Sequence, residues 1–121
     1  MREVAHQFDR MLAGLFPPER VRAIDAGGDW GAERAEIESS GFLDALASGL
    51  PLSDIVPLWS AVGRYAAPLA IGEAMIGRGN IAGARPLLLA AAISGAADRV
   101  LMMTAGYANE RNQFGKPIGR Q

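Results

Sequence analysis

Apolar residues recur at helical spacing along most of the chain, and the alternation typical of strands is nearly absent. The first apolar stripe has intervals of i, i+4, i+7, i+8 and i+11, which is one face of an amphipathic helix. It consists of Val4, Phe8, Met11, Leu12 and Leu15. The stripe predicts a helix over residues 2–15, ended by the proline pair that follows. Because β-branched residues are also few (five Val, eight Ile, one Thr), the pattern predicts an all-α protein, a helical bundle.

Four shorter helices are predicted between this first helix and a long C-terminal one. The first two cover residues 18–24 and residues 32–39 up to Gly41. The third begins at Ser53 and Asp54 and carries Leu58, Trp59, Val62 and Tyr65. The fourth covers residues 69–76 and is ended by Gly77, Gly79 and Asn80. Trp59 and Tyr65 are interpreted as core or interface anchors. Phe42, Leu43 and Leu46 form a short apolar segment that we expect to pack under the helix that follows it.

The last helix is predicted to run over residues 86–112, since only Gly95 and Gly106 interrupt its pattern. Residues 86–97 carry no charge. This run is shorter than the roughly 20 residues a membrane span needs, so it is interpreted as a buried helix with no membrane partner. Small residues would let another helix approach closely: Ala92, Gly95, Ala96, Ala97 and Gly106. Larger ones form a stripe: Leu89, Ile93, Val100, Met103 and Tyr107. Because the chain is short, it has few other helices to surround this one. We therefore expect a second subunit to cover part of it.

Composition and charge narrow the function classes. The 121 residues suit a single domain, residues 1–121. With 12 basic and 13 acidic groups the chain has no excess of positive charge that would favour binding to a nucleic acid. Without cysteine, thiolate metal sites and cysteine nucleophiles are excluded. His6 has no second ligand at useful spacing, so no metal site is expected. A mixed, charged N-terminus indicates no secretory signal and favours the cytoplasm.

Glu33 and Glu36 are interpreted as residues on a solvated face beside Arg34.

The residues from Tyr107 to Ile118 are chemically the most informative part of the chain. They predict a helix that ends in a compact loop, with Gly115 and Pro117 preventing its continuation. Arg111 in the final turn suits the negative end of the helix dipole, which would suffice as a structural role. Together, however, Arg111, Gln113 and Phe114 offer a planar cation for phosphate or carboxylate, an amide and an aromatic surface. This combination suits a nucleotide.

The same residues resemble the flavin-dependent acyl-CoA dehydrogenases, in which a long helix ends in Tyr, Glu-Arg and a Gln-Phe-Gly-Lys-Pro-Ile turn. The resemblance includes Arg85-Pro86 and Gly95; residues 63–73 and Phe42-Leu43 resemble the family's N-terminal helical domain more weakly. Residues 1–80 would thus be like that domain, and residues 85–121 like the first helix and turn of the C-terminal one. The resemblance implies FAD across a subunit interface. Arg111 would then meet its pyrophosphate, Gln113 would bind near the ADP portion and Phe114 would pack against the cofactor.

The departures from the family are equally specific. Its members place a β domain before the long helix, where this chain has only Gly79 to Ala84, and the helix that usually bears the catalytic Glu is absent. Neither Glu73 nor Glu110 is assigned as a base. Three interpretations follow. The chain is an acyl-CoA dehydrogenase-like protein that acts on acyl-CoA with missing segments or a companion subunit, a non-catalytic dimerisation or assembly module derived from that family, or a small bundle with no ligand.

Overall fold

Six α-helices build the chain in the computed structural model, which describes the backbone of residues 2–112 and the side chains of residues 3–106. The helices are α1 (Arg2–Leu15), α2 (Pro18–Asp25), α3 (Gly31–Ser40), α4 (Leu52–Arg64), α5 (Ala70–Gly79) and α6 (Arg85–Asn112). Short 3-10 turns at Phe42–Asp44 and Ala82–Ala84 precede α4 and α6. No strand occurs within residues 2–112, so the all-α prediction is confirmed.

Helix α4 lies at the centre of the core and packs against α6, α1 and α5. Its fully buried side chains are Ile55, Leu58, Trp59, Ala61 and Val62. The predicted stripe of α1 supplies Phe8 and Leu12 to the same cluster, and α6 supplies Leu88. Trp59 is therefore a core residue, as its spacing predicted. The burial of these apolar faces is the main stabilising contribution to such a bundle.

Small residues set the distance between α4 and α6. A Cβ atom on Gly63 would overlap the Ala92 carbonyl and lie 2.7 Å from the Ala92 Cα. A Cβ on Gly95 would overlap the Ser60 carbonyl oxygen and lie 2.8 Å from its carbon. The two backbones thus approach through reciprocal glycines. The predicted close approach is confirmed at Ala92 and Gly95, whereas Ala96, Ala97 and Gly106 are exposed.

Three local predictions were wrong. Helix α4 begins at Leu52 behind Pro51, whose side chain forms no cap, so Ser53 is already inside the first turn. Helix α5 continues through Gly77 to Gly79, so the predicted end at residue 76 was wrong, whereas Asn80 does end the helix, as a C-cap in the left-handed conformation at φ +56°. An asparagine tolerates this conformation, so no glycine is needed there. The turn Phe42–Asp44 makes its main contacts with α5 and α3 rather than with the helix that follows it.

Helix α6 is buried along one side only. Leu88, Ala91, Ala92 and Gly95 are buried, but Ile93 is 69% exposed, so this chain by itself buries only one side of the helix that was predicted to be buried over residues 86–97. The apolar character also continues beyond that run. By length and composition the segment Ala82–Gly106 could cross a membrane, and 22% of its most apolar window is buried. Core helices of water-soluble proteins meet the same two criteria.

Candidate functional site at the outer face and C-terminal end of α6

The predicted cofactor residues fall at and beyond the end of α6. The helix continues without a break from Arg85 to Asn112, 28 residues that extend for about 42 Å at 1.5 Å per residue. Arg111 lies in its last turn, as predicted. The side chain of Arg111, together with Gln113 and Phe114, lies outside the described residues, so their predicted contacts with one another and with FAD stay predictions.

A polar network joins α6 to the rest of the bundle at the C-terminal end of α4. The Tyr65 hydroxyl donates a hydrogen bond to Asp9 Oδ1 at 2.6 Å, and Arg64 forms an ion pair with Asp9 Oδ2. The Arg99 guanidinium lies 5.8 Å from the centre of the Tyr65 ring. This network ties α1, α4 and α6 together, which gives Tyr65 the anchoring role that its position suggested.

Tyr65 is chemically the most perturbed member of that network. Burial raises the pKa of the Tyr65 hydroxyl above its ordinary value, and its hydrogen bond to Asp9 raises it further. The sequence interpretation missed Asp9. Its neighbour Phe8 belongs to the apolar face of α1, so Asp9 lies at the edge of that face. A carboxylate at the edge of an apolar helix face indicates a hydrogen-bond or ion-pair partner on a neighbouring helix.

A cleft of about 250 Å³ lies beside this network, where α6 passes the end of α4. It is bounded by Arg64, Tyr65, Arg99 and Met103, with Phe16, Pro18, Val21, Arg22 and Ala66 completing the lining. Small-molecule sites usually occupy about 300–1,000 Å³, and a flavin dinucleotide needs the upper part of that range or more. The cleft is therefore too small to hold FAD by itself.

Glu73, one of the two carboxylates that were not assigned as a base, has a structural partner. Glu73 Oε2 accepts a hydrogen bond from Arg85 Nε at 2.8 Å, which links α5 to the start of α6 at the surface. This placement supports leaving Glu73 without a catalytic role. The side chain of Glu110 lies outside the described residues. Among residues 3–106 no group of three or more His, Asp or Glu side chains is arranged to hold a metal ion.

Glu33 is not the solvated residue that its sequence context suggested. Its side chain is 11% exposed and pairs with Arg20 of α2, Nε to Oε2, at 2.5 Å. The hydrogen bond from Arg20 lowers the pKa of the Glu33 carboxyl below its ordinary value. Arg34 lies instead over the Trp30 ring, 4.2 Å from its centre. The prediction of a solvated face holds for Glu36, which is exposed, and was wrong for Glu33.

The outer face of α6, opposite α4, is apolar and exposed. Ile93 and Val100 of the predicted stripe are 69% and 60% exposed. Leu101 beside them is 66% exposed. So contiguous an apolar surface marks an interaction site far more often than an isolated exposed leucine does. Within residues 3–106 no segment of the chain covers this face.

Comparisons of the chain with protein-family models, with curated proteins and with solved structures found no match. The resemblance to the acyl-CoA dehydrogenases therefore stays a prediction, carried by the residues at the two ends of α6.

Proposed function

We propose that this chain is a flavin-dependent acyl-CoA dehydrogenase-like subunit that holds one edge of an FAD site and completes the site with a second chain. The observation that carries the proposal is the length of α6, which continues beyond the helices that pack against it. Met103 still lines a cleft with the neighbouring helices, and Arg111 follows it by eight residues of helix, or about 12 Å. We therefore expect the guanidinium at this position to meet a group that another chain holds.

The chemistry of Arg111 favours an anion such as a pyrophosphate. A guanidinium makes paired, charge-assisted hydrogen bonds to phosphate oxygens. By the resemblance, Gln113 would bind near the ADP portion and Phe114 would pack against the cofactor. When bound, FAD would accept the hydride from the acyl-CoA thioester as its α,β bond is oxidised. The small size of the cleft beside Tyr65 supports a site that needs a second chain.

A base for removal of the α proton is not assigned to this chain. Glu73, the carboxylate nearest in sequence to the start of α6, is held at the surface by Arg85. In this proposal the base therefore belongs to a further segment or to a companion subunit. The contribution of this chain is to bind and orient the cofactor.

A titration with FAD tests the proposal, monitored by the quenching of flavin fluorescence. We expect weak binding by the chain alone, with a Kd above about 1 µM, because the site is incomplete. Arg111→Ala should weaken that binding about tenfold or more. Arg10→Ala removes the same charge from an exposed position on α1 and should leave binding unchanged.

Two results would refute the proposal. One is the absence of FAD binding up to about 1 mM. The other is equal binding by the Arg111 and Arg10 variants, which would reduce the interaction to non-specific charge. Binding of FAD by the isolated chain at about 1 µM or tighter would contradict the expectation of an incomplete site. It would show that the helical parts suffice without a β domain.

A second candidate function rests on the exposed face of α6 alone. A helical dimerisation or assembly module would need that apolar face and would use Arg111 only as a charge at the helix end. A colourless, stable dimer that binds no FAD would favour this function over the first. A monomer that binds no FAD would contradict both.

A further inference from the structure

The exposed face of α6 has the spacing of a coiled-coil seam. Residues 90, 93, 97, 100 and 104 follow one another at intervals of three, four, three and four, and all five are exposed. Such a 3-4 repeat keeps one stripe of a helix against a partner helix over several turns. Residue 111 continues the same register, since it follows residue 104 by seven.

Small and large side chains alternate along this seam. Ala90, Ala97 and Thr104 occupy one of its two positions, and Ile93 and Val100 occupy the other. The seam is therefore a row of projections separated by gaps. A partner helix fits closely only if its own projections fall opposite those gaps.

We propose that the occupant of this face is a second copy of the same chain, paired with it antiparallel through α6. When Ala97 faces Val100 of the second copy, Thr104 faces its Ile93, and each layer joins one small and one large side chain. A parallel pair would place Val100 against Val100 and Ala97 against Ala97, which alternates crowded layers with voids. The antiparallel pair also has the two-fold symmetry of an isologous dimer.

The area available fits a weak dimer. Leu101 and Met103 flank the seam and are 66% and 63% exposed. With the five seam residues they present on the order of 600 Å² per chain, the upper limit of the apolar patches that monomers usually expose (about 300–600 Å²). A standard interface buries about 800 Å² per partner, so we expect dissociation in the micromolar range.

A second helix is a better occupant than a lipid bilayer because α6 is already half covered. Ala92 and Gly95 are packed against α4, and Arg99 lies over Tyr65. Asp98 and Arg99 also stand within the apolar segment, where hydrocarbon would disfavour their charges. Within residues 3–106 the outer face of α6 is open to a partner over residues 90–104, and a single helix is enough to cover it.

The first test is sedimentation velocity across about 1–200 µM protein without FAD. We expect a concentration-dependent dimer. Val100→Asp should weaken it about 100-fold or more, because each interface would then bury two unpaired carboxylates. Met102→Asp is the matched control, since Met102 is 68% exposed on the same helix but lies off the seam. It should leave the dissociation constant unchanged.

The second test reads the direction of pairing by disulfide formation, which the absence of native cysteine makes unambiguous. Mixed Ala97→Cys and Val100→Cys chains should cross-link to each other at least tenfold more than either does to itself. Circular dichroism of every variant verifies that the monomer fold is retained, as expected for exposed positions.

Several outcomes would overturn the inference: a monomer at every concentration, equal effects of the two aspartate variants, or preferential cross-linking of identical variants. Flotation of a monomeric chain with anionic phospholipid vesicles would assign the face to a membrane instead. This inference rests on the part of the proposed function that requires a second chain, and it is independent of flavin. A dimer that binds no FAD would uphold it and refute the cofactor role.

Discussion

The contact between α4 and α6 makes a direct prediction for Gly95→Ala. In a helix interior this substitution alone should stabilise by about 1 kcal/mol, because glycine is a poor helix former. Here the added methyl would overlap the Ser60 carbonyl oxygen and lie 2.8 Å from its carbon and 3.1 Å from the Arg64 nitrogen. These neighbours are backbone atoms, so the methyl can be accommodated only if the two helices move apart by about 1 Å.

That displacement outweighs the gain in helix propensity. Overpacking costs about 1–3 kcal/mol, and a gap of 0.5–1 Å loses roughly a quarter to a half of the dispersion attraction between the separated atoms. With both backbones involved we take the upper limit, about 3 kcal/mol, and subtract about 1 kcal/mol for propensity. The expected net loss is about 2 kcal/mol, or a decrease of roughly 8 °C in Tm for a domain of this size.

Urea unfolding provides the measurement, monitored by circular dichroism of the helices and by tryptophan emission, to which Trp30 and the buried Trp59 contribute. The matched control is Gly106→Ala, in the same helix, where an added Cβ meets nothing within 4 Å. It should leave stability unchanged or increase it by up to about 1 kcal/mol. If Gly95→Ala proved as stable as the Gly106 variant, the close approach of α4 and α6 would be refuted.

Three further predictions concern single side chains. Because its pKa is lowered in the folded state, Glu33 stabilises the fold above its ordinary pKa of 4.5 and loses that effect as the pH falls through the lower, folded value. The stability difference between wild type and Glu33→Gln should therefore shrink on acidification. In Tyr107→Phe the one remaining tyrosine is Tyr65, whose tyrosinate absorbance should appear with a midpoint above 10.0. The stabilisation due to its raised pKa is present below that pH and is lost as the pH rises through the folded value. Ala66→Gly should stabilise by about 0.5 kcal/mol, since φ is +53° there and the left-handed conformation disfavours alanine more than the added freedom of glycine costs.

Matched substitutions separate these effects from general perturbation. Glu36→Gln, at an exposed position of α3, should show no comparable pH dependence; an equal response would contradict the role of Arg20. Ala35→Gly, in the interior of the same helix, should destabilise by about 1 kcal/mol. If Ala66→Gly destabilised the fold to the same extent, the left-handed conformation of Ala66 after α4 would be contradicted. A tyrosinate midpoint at or below 10.0 in Tyr107→Phe would contradict the burial of Tyr65 and its bond to Asp9.

Local patterns were sufficient to predict the elements of this fold. The stripe of α1 and the proline pair after it define a helix that the structure has at Arg2–Leu15. The predicted range 86–112 agrees with α6 to within one residue. Both signals act over a few turns of chain, so neither depends on what packs against the helix. The glycine at position 95 likewise indicated a close helix contact.

The contacts between these helices are made by residues that are distant in sequence, so local patterns did not predict them. The partner of Asp9 lies more than fifty residues away at Tyr65, and that of Glu33 lies on another helix at Arg20. Periodicity states which residues share a face, but it does not state which face receives the neighbouring helix. For α6, apolar on nearly every side, only packing could show that the Gly95 side is covered and the Ile93 side is open. The sequence alone placed Arg111 in the last turn of a helix, and the tertiary structure determined that this helix extends beyond its own core.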